Sequence, residues 1–339
     1  MHVLSDIDLP CEAQSHEPSA ALQQCMFYHS PDSLCEFAQV RWAGRHGGDA
    51  IRAYDTGNGL LVCAYDKVKM LTEKHGRSLT FDFSREDSTA AALAGALAIN
   101  LGMSLGTLLS DDLALHGAGV EIDGKFVALM ALSGTGKSTL LWALLDSGAR
   151  FANDDMIPVK VQAGSVVAYP SVSLPSKLSR KALADRRWRP ESFTPVFPDA
   201  DEFWIPIPPD RRLLEPRPLS ALFILQPFRQ LELPGLIHAD RLEGPAAIPL
   251  LMANIQGLWA AHSLLDGAQI MDQYLALAQT VPVYILSYLR RYDMLNPLID
   301  VISDLVRSPL IMNQEAKETI TESRPTWIDK LLGRPRRAR

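Results

Sequence analysis

A chain of 339 residues is long enough for two domains, or for one large domain with an appendage, and 47% hydrophobic with 21% charged residues is the make-up of a soluble globular protein. The formal net charge of −6 speaks against general nucleic-acid binding, which rests on neutralising phosphates. Cys11, Cys25, Cys35 and Cys63 show no C-x-x-C spacing, so neither a metal cluster nor a disulfide framework is expected, and unpaired thiols of a cytoplasmic protein are.

Taken in order, residues 1–33 are polar and aperiodic and predict an irregular leader, without the basic start and apolar core of a secretory signal. Residues 34–86 alternate short strand-like runs (FAQVRW, AIRAY, LLVCAY, SLTFDF) with turn signals at Gly47-Gly48 and Gly57 to Gly59. That pattern predicts a small antiparallel β-rich module. Asp87 and Ser88 open a helix expected to run to about Leu109, resting on the sheet of the following domain and linking it to the module. Residues 88–110 carry no charge and approach spanning length. They are rich in Ala and Gly, and Asp111-Asp112 close them without a basic flank. A helix buried in the protein is expected, not a membrane span.

Gly119–Ile122 and Lys125–Ala131 then flank Asp123-Gly124, a two-residue hairpin signal. The second strand runs into ALSGTGKS, Ala131 to Ser138, and then into the apolar helix Ser138–Ser147. This is a phosphate-binding loop of the Walker A kind, with Ala131 where the strict pattern has Gly. Gly134 and Gly136 free the backbone to turn N–H groups toward phosphate, and Lys137 supplies a point charge. The Ser138 hydroxyl suits Mg²⁺, and the helix N-terminus favours an anion. The candidate nucleotide contacts are Ser133, Gly134, Thr135, Gly136, Lys137, Ser138 and Thr139. Asp154-Asp155 follow, and adjacent strand residues face opposite ways, so the pair is expected to divide two tasks: one on metal, one toward a substrate hydroxyl.

Met156–Val161 and Val166–Ala168 predict a second hairpin turning at Ala163-Gly164, which makes the sheet mixed. Ser176 to Lys181 predicts a basic helix start, with Lys177 a candidate phosphate or substrate contact. Residues 188–218 are proline-rich and predict a lid or peptide-recognition loop, carrying Arg211 and Arg212 as candidate cations for a transferring phosphoryl group. A strand at Ser220–Leu225, helices at Ala246–Ile255 and Leu258–Leu277, a strand at Val281–Leu289 and an amphipathic helix at Met294–Val306 complete the expected domain of residues 87–310. Residues 311–339 form a polar tail ending in GRPRRAR. No internal repeat is present.

His116-Gly117, SGTGKS (Ser133 to Ser138) and Asp154-Asp155 together resemble the C-terminal kinase domain of the HPr kinase/phosphorylase family. The LSGTGKST wording is also similar to ATP-dependent phosphoenolpyruvate carboxykinase, which shares that fold. The specific match covers about forty residues, from His116 to Asp155. It implies an α/β mixed-sheet P-loop domain beside the β-rich N-terminal module, using ATP and Mg²⁺. It assigns the base to Asp154, leaves the metal side to Ser138 and Asp155, and puts His116 and Lys137 at the phosphates. The asparagine- and arginine-bearing C-terminal signature of the family is not evident after Asp210. The chain looks more like divergent relatives that phosphorylate peptides, such as those tailoring lasso peptides. The expected activity is transfer of a γ-phosphoryl group to a peptide or protein serine, in a protein compatible with homo-oligomer formation. A small-molecule kinase and a non-catalytic nucleotide-binding regulator are the alternatives.

Overall fold

In the computed structural model the described residues are 2–5, 24–29, 41–46, 50–76, 78–131, 134–162, 164–171, 174–228 and 237–307. The expectations for Ser133, for Cys11 and Cys35, and for the tail of residues 311–339 lie outside them.

The first sheet has seven strands: β1 (His2–Ser5), β2 (Gln24–His29), β3 (Arg41–His46), β4 (Ile51–Asp55), β5 (Gly59–Ala64), β6 (Val68–Glu73) and β7 (Ser78–Phe83). Strands β3 to β7 form an antiparallel meander, as the alternating apolar pattern predicts. Strands β1 and β2, from the segment expected to be irregular, instead extend this sheet in parallel beside β7. Neither carries a turn-bounded alternating run long enough to be read alone.

Helix α1 (Ser88–Leu97) is capped by Asp87, whose carboxylate accepts from Thr89 N and Ala90 N. A π-helical stretch at Ala98–Gly102 joins it to α2 (Met103–Leu108). The segment Ser88–Leu108 is long and apolar enough to cross a membrane, but most of it is buried in the protein. Leu93, Leu97, Leu101 and Leu105 pack on Leu60, Val62, Met70 and Phe81 of the first sheet, with Ala114 and Met156 of the second sheet in the same cluster. The segment therefore spans the two sheets, with α1 lying on β6 and β7 of the first and α2 against the second. Its small residues leave it two apolar faces, one for each sheet.

The second sheet has eight strands, beginning with the hairpin β8 (Leu113–Ile122) and β9 (Lys125–Met130) around Asp123-Gly124. After α3 (Lys137–Asp146) come β10 (Arg150–Asn153), β11 (Met156–Gln162) and β12 (Ser165–Ala168). Both β10 and β11 pair antiparallel with β8. Strand β13 (Ser176–Ser179) lies where a helix start is expected, and only Arg180–Asp185 (α4) is helical. The side chain of Ser179 caps α4 by accepting from Ala182 N, which ends the strand and starts the helix one residue apart. The proline-rich stretch is also not structureless: β14 (Thr194–Pro195) and β15 (Glu202–Ile205) join β13 in a third sheet.

Strand β16 (Arg217–Phe228) runs parallel to β9 on one side and to β18 (Val283–Leu289) on the other, and β17 (Ile237–Leu242) closes that edge antiparallel to β18. Helices α5 (Ile248–Met252), α6 (Leu258–Ala261) and α7 (Gly267–Thr280) precede β18, and α8 (Leu295–Arg307) follows it. The expected single helix from Leu258 is thus broken, because Asp266 caps a new one at Gly267.

The sheet is mixed and covered on both faces. Val127 and Leu129 of β9 point to α3 and α8, meeting Leu140, Leu144, Leu298 and Ile302. Phe126, Ala128 and Met130 point the other way, to Leu251, Tyr274 and Leu277 of α5 and α7. This period of two, apolar on both faces, is the mark of a strand buried on both sides. The carboxyl ends of β9, β16 and β18 point to the same edge of the sheet: β16 and β18 end together, Phe228 beside Leu289, and β9 ends at Met130 beside Ile224, four residues earlier. In open α/β sheets, ligands bind outside such strand ends.

Candidate active site

Strand β9 ends at Met130, and α3 begins at Lys137, entered through residues 134–136. Gly134 (φ 75°) and Gly136 (φ 103°) both adopt the left-handed region, where a side chain is strained. The first intrahelical bond of this helix is Leu140 N to Gly136 O, so the N–H groups at its start are directed out of the helix at the loop. Such a terminus attracts an anion through its N–H groups and its dipole together.

Lys137 is the first helical residue, and its side chain is only 9% exposed. Its Nζ donates to Asp154 Oδ1 at 3.1 Å and to Asp155 Oδ1 at 2.9 Å. The two aspartates do not lie in a strand but in the bend between β10 and β11. Asp155 takes φ 66°, which swings its carboxylate to the same side as that of Asp154. The expectation that the neighbours face opposite ways is therefore overturned, because strand alternation lapses where the backbone turns left-handed. Main-chain bonds hold the bend, from Gly117 N to Asp155 O at 3.2 Å and from Met156 N to Asp154 O at 2.9 Å. Asn153 anchors its start, donating to Tyr169 O and, at 2.7 Å, to Ser171 Oγ.

The carboxylates differ in their second oxygen. Asp154 Oδ2 accepts from Ser176 Oγ at 2.7 Å and from Lys177 N at 2.9 Å, while its Oδ1 also accepts from Asp155 N. Four donors occupy the roughly four lone-pair sites of a carboxylate, and the side chain is 2% exposed. Asp155 Oδ2 pairs with Lys177 Nζ, and its side chain is 21% exposed. Lys177 also donates to Asn100 Oδ1 at 3.2 Å and lies over the Trp204 ring. Two lysines and two aspartates thus balance their charges in one buried cluster.

Burial alone pulls the Lys137 ammonium downward, but Asp154 and Asp155 outweigh it and raise its pKa above the ordinary lysine value. Lys177 rises for the same reason, with Asp155 the main partner against burial. Burial pushes the Asp155 carboxyl upward, and Lys177 and Lys137 reverse this, leaving it below the usual carboxylate range.

His116 lies on β8 opposite Met156, one residue past the aspartate pair. Its ring Nδ1 is 2.5 Å from Gln256 Oε1, and its main-chain N–H donates to Asn254 O at 2.7 Å. Burial and the positive charge of Lys137 lower its pKa, which favours the uncharged ring. The adjacent Gly117 is demanded by packing, since a Cβ there would sit 2.7 Å from Leu129 O of β9.

His116, Lys137, Asp154, Asp155 and Lys177 are therefore brought together, with Ser138 and Thr139 on the first turn of α3 and Gly134, Thr135 and Gly136 in the loop before it. Arg211 is placed elsewhere. Arg211 lies 3.7 Å from Asp146, at the far end of α3, roughly 13 Å along the axis from Lys137 at 1.5 Å per residue. Arg212 is buried and donates Nε–H to Ile207 O at 2.8 Å. The arginine that does reach the loop is Arg290, just past β18, whose guanidinium donates to Gly134 O at 2.7 Å. Its signal in the sequence is only a cation following a buried strand, and it took the parallel register of β9, β16 and β18 to give it meaning. Ser176 was likewise unmarked.

Mg²⁺ takes hard oxygen ligands, commonly one or two carboxylates with the remainder from substrate phosphate and water. The Ser138 hydroxyl and the carboxylate of Asp155 fit that chemistry, and no cluster of three or more His, Cys, Asp or Glu suited to a metal occurs among the described residues. No protein-family model and no curated protein matches the chain. Among solved structures the chain is similar to the Hpr(Ser) kinase/phosphatase from Coxiella burnetii, at 15% identity over 59% of this chain and 97% of that one, with a TM-score of 0.30. A likeness that loose assigns no role to any residue. The fold and site taken by themselves are those of an α/β protein with a mixed sheet, a glycine-bearing strand–loop–helix turn and a buried lysine–aspartate cluster beside it.

Proposed function

We propose that the protein is a Mg²⁺- and ATP-dependent kinase that transfers the γ-phosphoryl group to a serine hydroxyl of a peptide or protein. The observation that carries this reading is the buried ammonium of Lys137, the first residue of α3 after the loop, held between Asp154 and Asp155. Phosphoryl transfer needs positioning and charge compensation more than covalent chemistry from the protein. Loop and helix amides with Lys137 bind the phosphates. Ser138 and Asp155 would hold Mg²⁺, which would supply positive charge to offset that of the phosphates.

Asp154 then acts on the acceptor hydroxyl. Its lone pairs are fully used while Lys137 is bound to it, and nucleotide phosphates draw the ammonium away and free Oδ1. Ser176 and Lys177 N keep the other oxygen fixed, so the freed one is already aimed for general-base work. His116 is a hydrogen-bonding group at the phosphates, and Lys177 is a second cation for the transferring group. A ribosomally made peptide of the lasso type is the acceptor class favoured by the resemblance of the His116 to Asp155 stretch.

The test is incubation of the protein with Mg²⁺-ATP and serine-containing peptides, read by mass spectrometry for addition of one phosphate. Transfer to a serine supports the reading. Transfer only to a small metabolite, or nucleotide binding with no transfer to any acceptor, overturns it.

A further inference from the structure

Beside the phosphate loop lies a cavity of about 350 Å³, within the range of small-molecule sites. One wall is the face of α3 that carries Thr139, Trp142 and Asp146, residues three and four apart and therefore aligned. Arg186, Trp188 and Tyr292 form much of the rest. Trp142 and Trp188 meet edge to face with centroids 5.1 Å apart, and the Arg186 guanidinium lies 4.6 Å from the Trp188 ring centre. Asp185, bonded by the Tyr292 hydroxyl, sets a carboxylate at the rim.

Resting on the kinase reading above, we infer that this cavity receives the purine ring and ribose of the nucleotide. Three connections tie it to the phosphate site. Thr139 belongs both to the cavity wall and to the first turn of α3. The turn after β18 delivers Arg290 to Gly134 and, two residues on, Tyr292 to the cavity. Ser176 Oγ accepts from Trp142 Nε1 at 3.2 Å and donates to Asp154, so one hydroxyl joins the aromatic wall to the carboxylate cluster.

The acceptor is excluded from the cavity by the sidedness of β13. Leu178 lines the cavity with α3, whereas Lys177 faces the other way, toward Asp155, Asn100 and Trp204. A hydroxyl approaching Asp154 and Asp155 comes past Lys177, and the cavity is left for the unreactive end of the nucleotide. Its chemistry suits a base: the exposed Tyr292 ring and the half-buried Trp188 ring for stacking, carboxylates that accept from exocyclic or ring N–H groups, and a donor for a ring nitrogen. That donor is Arg186 Nε, which is buried and has no hydrogen-bond partner among the described residues.

Calorimetric titration of the full chain with Mg²⁺-ATP and with Mg²⁺-tripolyphosphate separates the two halves of the site. The wild type should bind ATP at least about tenfold more tightly than tripolyphosphate, since base stacking adds to the phosphate contacts. Tyr292→Ala, and Ala182→Phe to fill the cavity, should reduce that preference about fivefold or more while leaving tripolyphosphate binding unchanged. Equal affinity of the wild type for both ligands, or variants that weaken both alike, would overturn the base site and leave the phosphate loop standing. Failure of the wild type to bind either would instead sink the phosphate-loop reading, and this inference with it.

Discussion

Ser176 donates its hydroxyl hydrogen to Asp154 Oδ2 at 2.7 Å and is fully buried beneath the α3 face that carries Trp142. A single side chain thereby sets the orientation of a carboxylate and satisfies an indole N–H. Ser176→Ala leaves Trp142 Nε1 unpaired, at a cost of about 1–3 kcal/mol for an orphaned buried donor. Chemical denaturation should report that loss. The turnover number should fall further than nucleotide affinity, and unchanged turnover in a stable variant would remove the positioning role.

Lys137→Ala takes the charge from between two carboxylates. Removing one partner of a buried ion pair costs about 3–5 kcal/mol, so the variant should be less stable as well as unable to hold triphosphate. Lys137→Ala combined with Asp154→Asn and Asp155→Asn should recover part of the stability but none of the binding. Denaturant midpoints and calorimetry measure the two effects separately. Normal triphosphate affinity in Lys137→Ala would dismiss the loop as the phosphate site.

Asp154→Asn preserves shape and removes the negative charge. Transfer should drop by at least about 10²-fold, the usual scale for losing a general base, while nucleotide affinity changes little. Quenched-flow phosphate transfer beside equilibrium dialysis checks both. Full activity in Asp154→Asn would shift the acceptor-side role to Asp155.

The cluster also sets a pH signature. Asp155 has its native pKa below the unfolded value of about 3.9, so the stability it contributes is present above that pH and is lost as pH falls through the native value. Lys137 and Lys177 are raised, so their contribution is complete below about 10.4 and is lost as pH rises through the native values. The stability deficit of Asp155→Asn should be flat from about pH 5 to 9 and close on acidification below about pH 4. A deficit that persists undiminished at pH 2 would contradict the pairing.

Arg290→Ala removes the guanidinium that donates to the Gly134 carbonyl and takes a cation from the loop. Arginines placed at a phosphoryl group act on the transition state, so the expected effect is a fall of about 10-fold or more in kcat with folding intact. Arg211→Ala, at the far end of α3, should change phosphate binding little. Steady-state kinetics of both variants would distinguish them, and equal effects would refute the placement.

The sequence determined the local devices. The Asp123-Gly124 hairpin, the glycines of the loop, the apolar α3 and the period-two alternation of β9 are all legible because each depends on neighbours within a few residues. What the sequence left open is what depends on partners far along the chain. Residues 176–179 form a strand instead of a helix because β15 pairs with them, and β1 and β2 join a sheet whose other members start beyond residue 40. The left-handed Asp155, which puts both carboxylates on Lys137, is held by bonds from β8. Arg290 reaches the loop only because β18 lies parallel to β16, and β16 to β9, with their carboxyl ends at the same edge of the sheet. Backbone propensity and side-chain period are local quantities, whereas the convergence of His116, Lys137, Asp154, Lys177 and Arg290 is a product of sheet register, which no single stretch encodes.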